Sequence, residues 1–138
     1  MSDVPNVTPD ETYQALQRDP DAELVDVRTA PELMFVGFPD LTDAGKQLHT
    51  VEWQQFPAMG VNPSFLEELQ ARGLGPEKKL YFLCRSGARS LAAGRLARQA
   101  GYAAAFNVAD GFEGPVDADG HRGTQAGWKA SGLPWKQR

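Results

Sequence analysis

Cysteine is the scarcest resource in this chain, with a single residue, Cys84, among 138. A lone cysteine closes no internal disulfide and builds no thiolate-rich zinc site. It is a buried small hydrophobe, half of an intermolecular bridge, or a reactive thiol. Histidine is nearly as scarce, with two residues. His49 and His121 stand far apart in sequence and neither has a second ligand at metal spacing, so no metal is expected. The run Asp117-Ala118-Asp119-Gly120 starts like a calcium loop, but Thr124 and Gln125 follow where a closing acid is required. No apolar run approaches the roughly 20 residues that span a bilayer. The first ten residues, with Pro5 and Pro9, lack the cationic start and apolar stretch of a secretory signal. A cytoplasmic protein with no membrane partner is the expectation. Positive charge is also lacking: the net charge is −4, which argues against nucleic-acid binding, normally marked by a basic face.

What is present suits one compact domain over residues 1–138, with a core of about residues 5–135. Apolar residues make up 41% and charged residues 23%, and a chain of this length buries a core without disulfides. Apolar runs alternate with helical patterns, the signature of an α/β domain with a mostly parallel sheet of about five strands and helices on both faces. Asn6-Val7-Thr8 reads as a short first strand. Thr8, Pro9 and Glu11 form a capping-box signal for a helix whose inner stripe holds Tyr13 and Leu16. Residues 23–27 read as a strand. Residues 31–59, with Gly37, Pro39, Gly45 and Pro57, read as a long connection around one strand at 49–53. Asn62 and Pro63 open a helix to about Arg72, ended by Gly73 and Gly75. Residues 79–83 form a continuous apolar run that fits a central strand covered on both faces. A helix over 90–99, a strand over 104–108 and a last helix near 126–130 complete the reading.

The segment Cys84-Arg85-Ser86-Gly87-Ala88-Arg89-Ser90 carries the chemistry. Cys84 falls where the central strand ends and a helix begins, the edge of an open α/β sheet where ligands bind. Gly87 eases an unusual backbone turn. Backbone N–H groups in such a curl converge on an anion, and the helix adds the positive end of its dipole. An anionic sulfur, or a persulfide carried on it, gains from both. Arg85 and Arg89 are fixed cations able to orient an oxyanion.

The Cys-Arg-Ser-Gly-Ala-Arg-Ser run resembles the active-site loop of rhodanese-like (thiosulfate sulfurtransferase) domains. Leu24-Val25-Asp26-Val27-Arg28, followed by Glu32, resembles that family's Asp-x-Arg element. Gly127-Trp128 and Gly132-Leu133-Pro134-Trp135 resemble its Gly-Trp and Gly-Leu-Pro endings. The matches run from about Val7 to Trp135. The resemblance implies a single rhodanese-like domain in which Cys84 takes a sulfane sulfur from thiosulfate or a similar donor. The sulfur then passes to cyanide or a thiol. Substrate would meet Arg85, Ser86, Gly87, Ala88, Arg89 and Ser90, while Asp26 and Arg28 brace the loop through charge-assisted hydrogen bonds. Glu32 reads either as a further anchor or as a solvated carboxylate at a helix start. Trp128 and Trp135 read as fastening a terminal helix to the core, and Trp53 as packing.

No cofactor is needed, because a thiolate attacking a sulfane sulfur requires only alignment and neutralisation of the departing anion. Two other uses of the site stand beside this one. Cys-dependent phosphatases and arsenate reductases use a related loop, but phosphatases place the arginine six positions after the cysteine, and here Arg89 is five positions on. A persulfide relay or binding module serving a protein partner is the second. A monomer is expected, since no exposed heptad or comparable interface pattern is evident.

Overall fold

The computed structural model describes residues 4–55 and 60–137. In chain order the elements are β1 (Asn6–Val7), α1 (Pro9–Arg18), β2 (Ala22–Asp26), α2 (Ala30–Val36), β3 (Phe38–Pro39) and a 3₁₀ turn (Thr42–Ala44). Then come β4 (His49–Thr50), β5 (Gln54–Gln55), β6 (Gly60–Val61), α3 (Phe65–Ala71), β7 (Lys79–Leu83), α4 (Ala88–Gln99), β8 (Ala105–Val108) and β9 (Trp135–Lys136). Five strands form one parallel sheet in the order β1-β8-β7-β2-β4. The α/β class, the parallel sheet and the helices on both faces agree with the sequence reading.

Local chemistry explains where the helices start. Thr8 Oγ1 accepts the Glu11 N–H at 3.0 Å, and Glu11 Oε1 accepts the Thr8 N–H at 2.8 Å. This reciprocal cap satisfies two amides that the first turn of α1 would otherwise leave free. β7 explains the sheet's position. Its side chains alternate between two cores. Leu80 and Phe82 pack with Phe65 and Leu69 of α3 and with Ala93 and Ala97 of α4. Tyr81 and Leu83 pack on the other side with Leu16 of α1, Phe112 and Trp128. A strand buried on both faces has no polar alternation, hence its unbroken apolar run.

Two stretches differ from expectation. Residues 31–59 are not a bare connection around one strand. They hold most of α2, then β3, the 3₁₀ turn, β4 and β5, and residues 56–59 lie outside the described part. The strand expected at 49–53 is assigned only at His49–Thr50. Its hydrogen bonding continues, with Val51 N donating to Asp26 O and Trp53 N to Val27 O, each at 3.1 Å. The tail forms no helix at 126–130. Gly127 takes φ +99°, and its Cα faces the Gly111 carbonyl so closely that a Cβ would lie 2.9 Å from that oxygen. A left-handed residue packed against another backbone breaks a right-handed helix. The tail instead turns back, and β9 pairs antiparallel with β3. Among the described residues no helix is long and apolar enough to cross a membrane.

Candidate active site

β7 delivers Cys84 to the carboxyl edge of the sheet, between its neighbours β2 and β8, and α4 begins four residues later at Ala88. Gly87 caps α4 with φ +116°, a conformation open to glycine and strained for other residues. That turn points the Gly87 N–H back at Cys84 Sγ, 3.1 Å away. Ser90 Oγ lies 3.2 Å from the same sulfur. The sulfur is thus held between a backbone donor and a hydroxyl, and Cys84 is only 1% exposed. The loop's outer side chains, Arg85, Ser86 and Ala88, face solvent.

The two arginines of the loop have different surroundings. Arg85 is exposed, and its side chain has no partner among the described residues. Arg89 is committed: its Nη1 and Nη2 donate to Glu32 Oε1 and Oε2 at 2.7 and 2.8 Å. Such a bidentate fork fixes both side chains. Glu32 Oε1 also accepts the Thr29 N–H and hydroxyl at 3.1 and 3.0 Å. Glu32 is therefore an anchor that ties α2 to α4, and the solvated-carboxylate alternative does not hold. Burial alone would push its carboxyl up, but the bonds from Arg89 and Thr29 outweigh that and bring it down to about 2.

A folded value below the unfolded one stabilises above the ordinary carboxylate range, and that contribution is lost as pH falls toward 2. Glu32→Gln is expected to lower unfolding free energy by about 2 kcal/mol at pH 7, after allowance for solvent screening. The gap from wild type should close between about pH 4.5 and 2. Urea titrations across that range measure it, and a gap independent of pH would refute the assignment.

Asp26 and Arg28 do not reach the loop directly. Arg28 Nε and Nη2 donate to Asp26 Oδ1 and Oδ2 at 2.9 and 2.6 Å, and Nη2 also donates to the Gly37 carbonyl at 2.9 Å. Both side chains are fully buried. The link to the site runs through an aromatic ring: the Arg28 guanidinium lies 4.3 Å from the Phe112 ring centroid. The Phe112 N–H in turn donates to Cys84 O at 2.8 Å. Bracing of the loop thus comes mostly from residues after β8. Glu113 N and Gly114 N both donate to Arg85 O, at 3.0 and 3.1 Å.

Gly111, Phe112 and Asn107 complete the site without belonging to any motif that the sequence displays. Gly111 has φ +61°, and a Cβ there would collide with the Cys84 and Arg85 backbone. Asn107 Oδ1 receives the Ser90 hydroxyl at 2.5 Å. The available signal was the strand over 104–108 followed by Asp110-Gly111, since a second strand end beside β7 must meet the same sheet edge. The histidines have partners outside the Cys84 loop. His49 Nε2 sits 3.3 Å from Glu23 Oε1, with burial holding its pKa below the usual value. His121 is exposed in a loop closed by Asp117, whose carboxylate accepts from Asp119 N, His121 N and Thr124 Oγ1.

Along most of its length the chain is similar to known proteins. The family model described as the STR4 middle domain covers residues 6–138. The chloroplastic protein THYLAKOID RHODANESE-LIKE of Oryza sativa subsp. indica is 35% identical over 124 residues, 89% of this chain and 23% of that protein. This chain belongs to the rhodanese-like family.

Solved structures agree with that placement of the rhodanese-like domain. The crystal structure of Rv0390 from M. tuberculosis is 45% identical with a TM-score of 0.89, covering 99% of this chain and all of that one. The solution structure of the 30 kDa polysulfide-sulfur transferase homodimer from Wolinella succinogenes is 27% identical with a TM-score of 0.67, covering 98% of this chain and 80% of that one. The family is of sulfurtransferase type.

Proposed function

We propose that this rhodanese-like domain is a sulfurtransferase that carries a persulfide on Cys84. The observation that carries the reading is the convergence of the Gly87 N–H and the Ser90 hydroxyl on one buried sulfur, at 3.1 and 3.2 Å. The Gly87 N–H stabilises negative charge on sulfur as it develops and needs no reorganisation to do so, and the Ser90 hydroxyl stands within reach of the same sulfur. The donor is thiosulfate or a polysulfide, the latter suggested by the Wolinella succinogenes neighbour. Arg85, exposed at the rim, meets the donor's charge. Arg89, already held by Glu32, positions α4 more than it binds substrate.

The reaction is a double displacement. The Cys84 thiolate attacks the sulfane sulfur of thiosulfate, a new S–S bond forms, the old S–S bond breaks and sulfite leaves with the electron pair. Cyanide or a thiolate then attacks the outer sulfur of the persulfide, and Cys84 departs as thiolate. Charge balances in both halves without a cofactor or an added oxidant. The loop, one residue shorter than the phosphatase spacing, suits a single sulfur better than a tetrahedral phosphoryl group.

Intact-protein mass spectrometry after incubation with thiosulfate or polysulfide tests the reading. The expected result is a gain of one sulfur mass that cyanide removes. Turnover of an aryl phosphate or arsenate without any sulfur adduct would overturn it.

A second reading, delivery of the persulfide to a protein cysteine, draws on Met34 and Phe35. They are 57% and 73% exposed on α2, the helix that also carries Glu32. Slow discharge to cyanide beside fast discharge to a protein thiol would favour it.

A further inference from the structure

Ser90 has more partners than protons. It is fully buried, and its Oγ lies 3.2 Å from Cys84 Sγ, 3.1 Å from Gly87 O and 2.5 Å from Asn107 Oδ1. One hydroxyl donates one hydrogen bond. With the shortest contact to Asn107 Oδ1, the proton points away from sulfur, and Ser90 can only accept from a Cys84 thiol. That arrangement fits a protonated sulfur; an anionic one keeps the Gly87 N–H as its donor but gains none from Ser90.

The rest of the chain of contacts offers a way out. Asn107 is buried on β8, and its Nδ2 donates to Asn6 Oδ1 at 2.9 Å, across a β1–β8 register that sets the two residues side by side. Asn6 is exposed. A side-chain amide presents oxygen and nitrogen at nearly equivalent places, so turning both amides by half a revolution keeps every heavy-atom contact and reverses every donor. Asn6 Nδ2 then donates to Asn107 Oδ1, Asn107 Nδ2 donates to Ser90 Oγ, and the Ser90 proton is released toward Sγ. The outer end of the chain meets water, which donates or accepts equally well, so neither polarity strands a buried polar group.

We propose that Asn107 and Asn6 are positioning residues that switch Ser90 between accepting from and donating to Cys84 Sγ. The proposal rests on the persulfide reading and assigns the switch a moment in it. When the acceptor attacks the outer sulfur, the bond to Sγ breaks and its electron pair stays on Sγ. Ser90 donates to that new thiolate as the amides turn, and no proton changes its covalent owner.

The test uses Asn6→Asp, Asn6→Ala and Asn107→Asp in the full chain. Aspartate only accepts. At position 6 it holds Asn107 Nδ2 outward and keeps the Ser90 proton off sulfur, while alanine admits water, which takes either role. Two rates are read in 1 M KCl, where the charge of an aspartate at the exposed position 6 is screened within about 3 Å, so the two Asn6 variants decide between the readings. One is single-turnover discharge of the persulfide to cyanide. The other is alkylation of Cys84 by iodoacetamide, which needs no sulfur transfer. Asn6→Asp and Asn107→Asp should slow both about tenfold, the effect of losing one hydrogen bond to a charged group. Asn6→Ala should slow them less than Asn6→Asp.

A merely structural contact predicts the opposite order, because aspartate is nearly isosteric with asparagine and alanine is not. Alanine as slow as aspartate, or wild-type rates in Asn6→Asp, would overturn the switch. Asn6 is exposed, so its variants keep the test alive if Asn107→Asp fails to fold. If the wild type forms no persulfide, the sulfurtransferase reading fails, and the alkylation rates still decide the switch.

Discussion

Cys84→Ser is expected to abolish persulfide formation and to reduce sulfur transfer by on the order of a thousandfold or more, the scale of losing a covalent nucleophile. The chain holds no other thiol to replace it. A hydroxyl at the same place is a far weaker nucleophile and forms no S–S bond. The fold should survive. Cys84 is a buried member of the core that holds Phe82 and Ala93, and the change to serine replaces one atom, sulfur by oxygen. Its hydroxyl finds the Gly87 N–H and Ser90 Oγ where the sulfur found them. The stability change is therefore expected within about 1 kcal/mol. Melting curves and single-turnover sulfur transfer, measured on the same preparation, separate the two effects. Transfer within tenfold of wild type would remove Cys84 from the mechanism. A large loss of stability would mean that the thiol's role is packing.

Much of this site can be read in the sequence because its parts are local. The Cys84 loop, the Thr8 cap of α1 and the continuous apolar run of β7 each depend on residues within a few positions of one another. α2 escaped for a physical reason. It has no buried residue, so no apolar stripe reveals it, and Gly37 and Pro39 surround its end with breaker signals. Its start did carry a signal, since Thr29 and Glu32 repeat the spacing of Thr8 and Glu11. The absent tail helix is the converse. Its composition suits a helix, but Gly127 is packed against the Gly111 carbonyl, a contact set by tertiary structure. Asn107, Gly111 and Phe112 act on Cys84 only because β8 lies beside β7. Nothing in their own sequence neighbourhood contains that pairing.

The role of Asp26 and Arg28 belongs to the same class and leads to a second large effect. Their ion pair is fully buried. Asp26→Ala leaves the Arg28 guanidinium in the core with only the Gly37 carbonyl and the Phe112 ring, and is expected to cost about 3–5 kcal/mol. Replacing both residues by apolar side chains of similar volume, Asp26→Leu with Arg28→Met, removes the stranded charge and should recover most of that loss. Activity should not return with it. Arg28 supports the Phe112 ring at 4.3 Å, and Phe112 holds the Cys84 carbonyl. Without the guanidinium the loop loses an orienting contact rather than a folding one. Urea unfolding is expected to place the double variant near wild type while persulfide formation stays slowed. If activity recovers in step with stability, the pair serves the fold alone. If Asp26→Ala costs under about 1 kcal/mol, the buried charge has found water or another partner, and the support of the loop through Phe112 must be sought elsewhere.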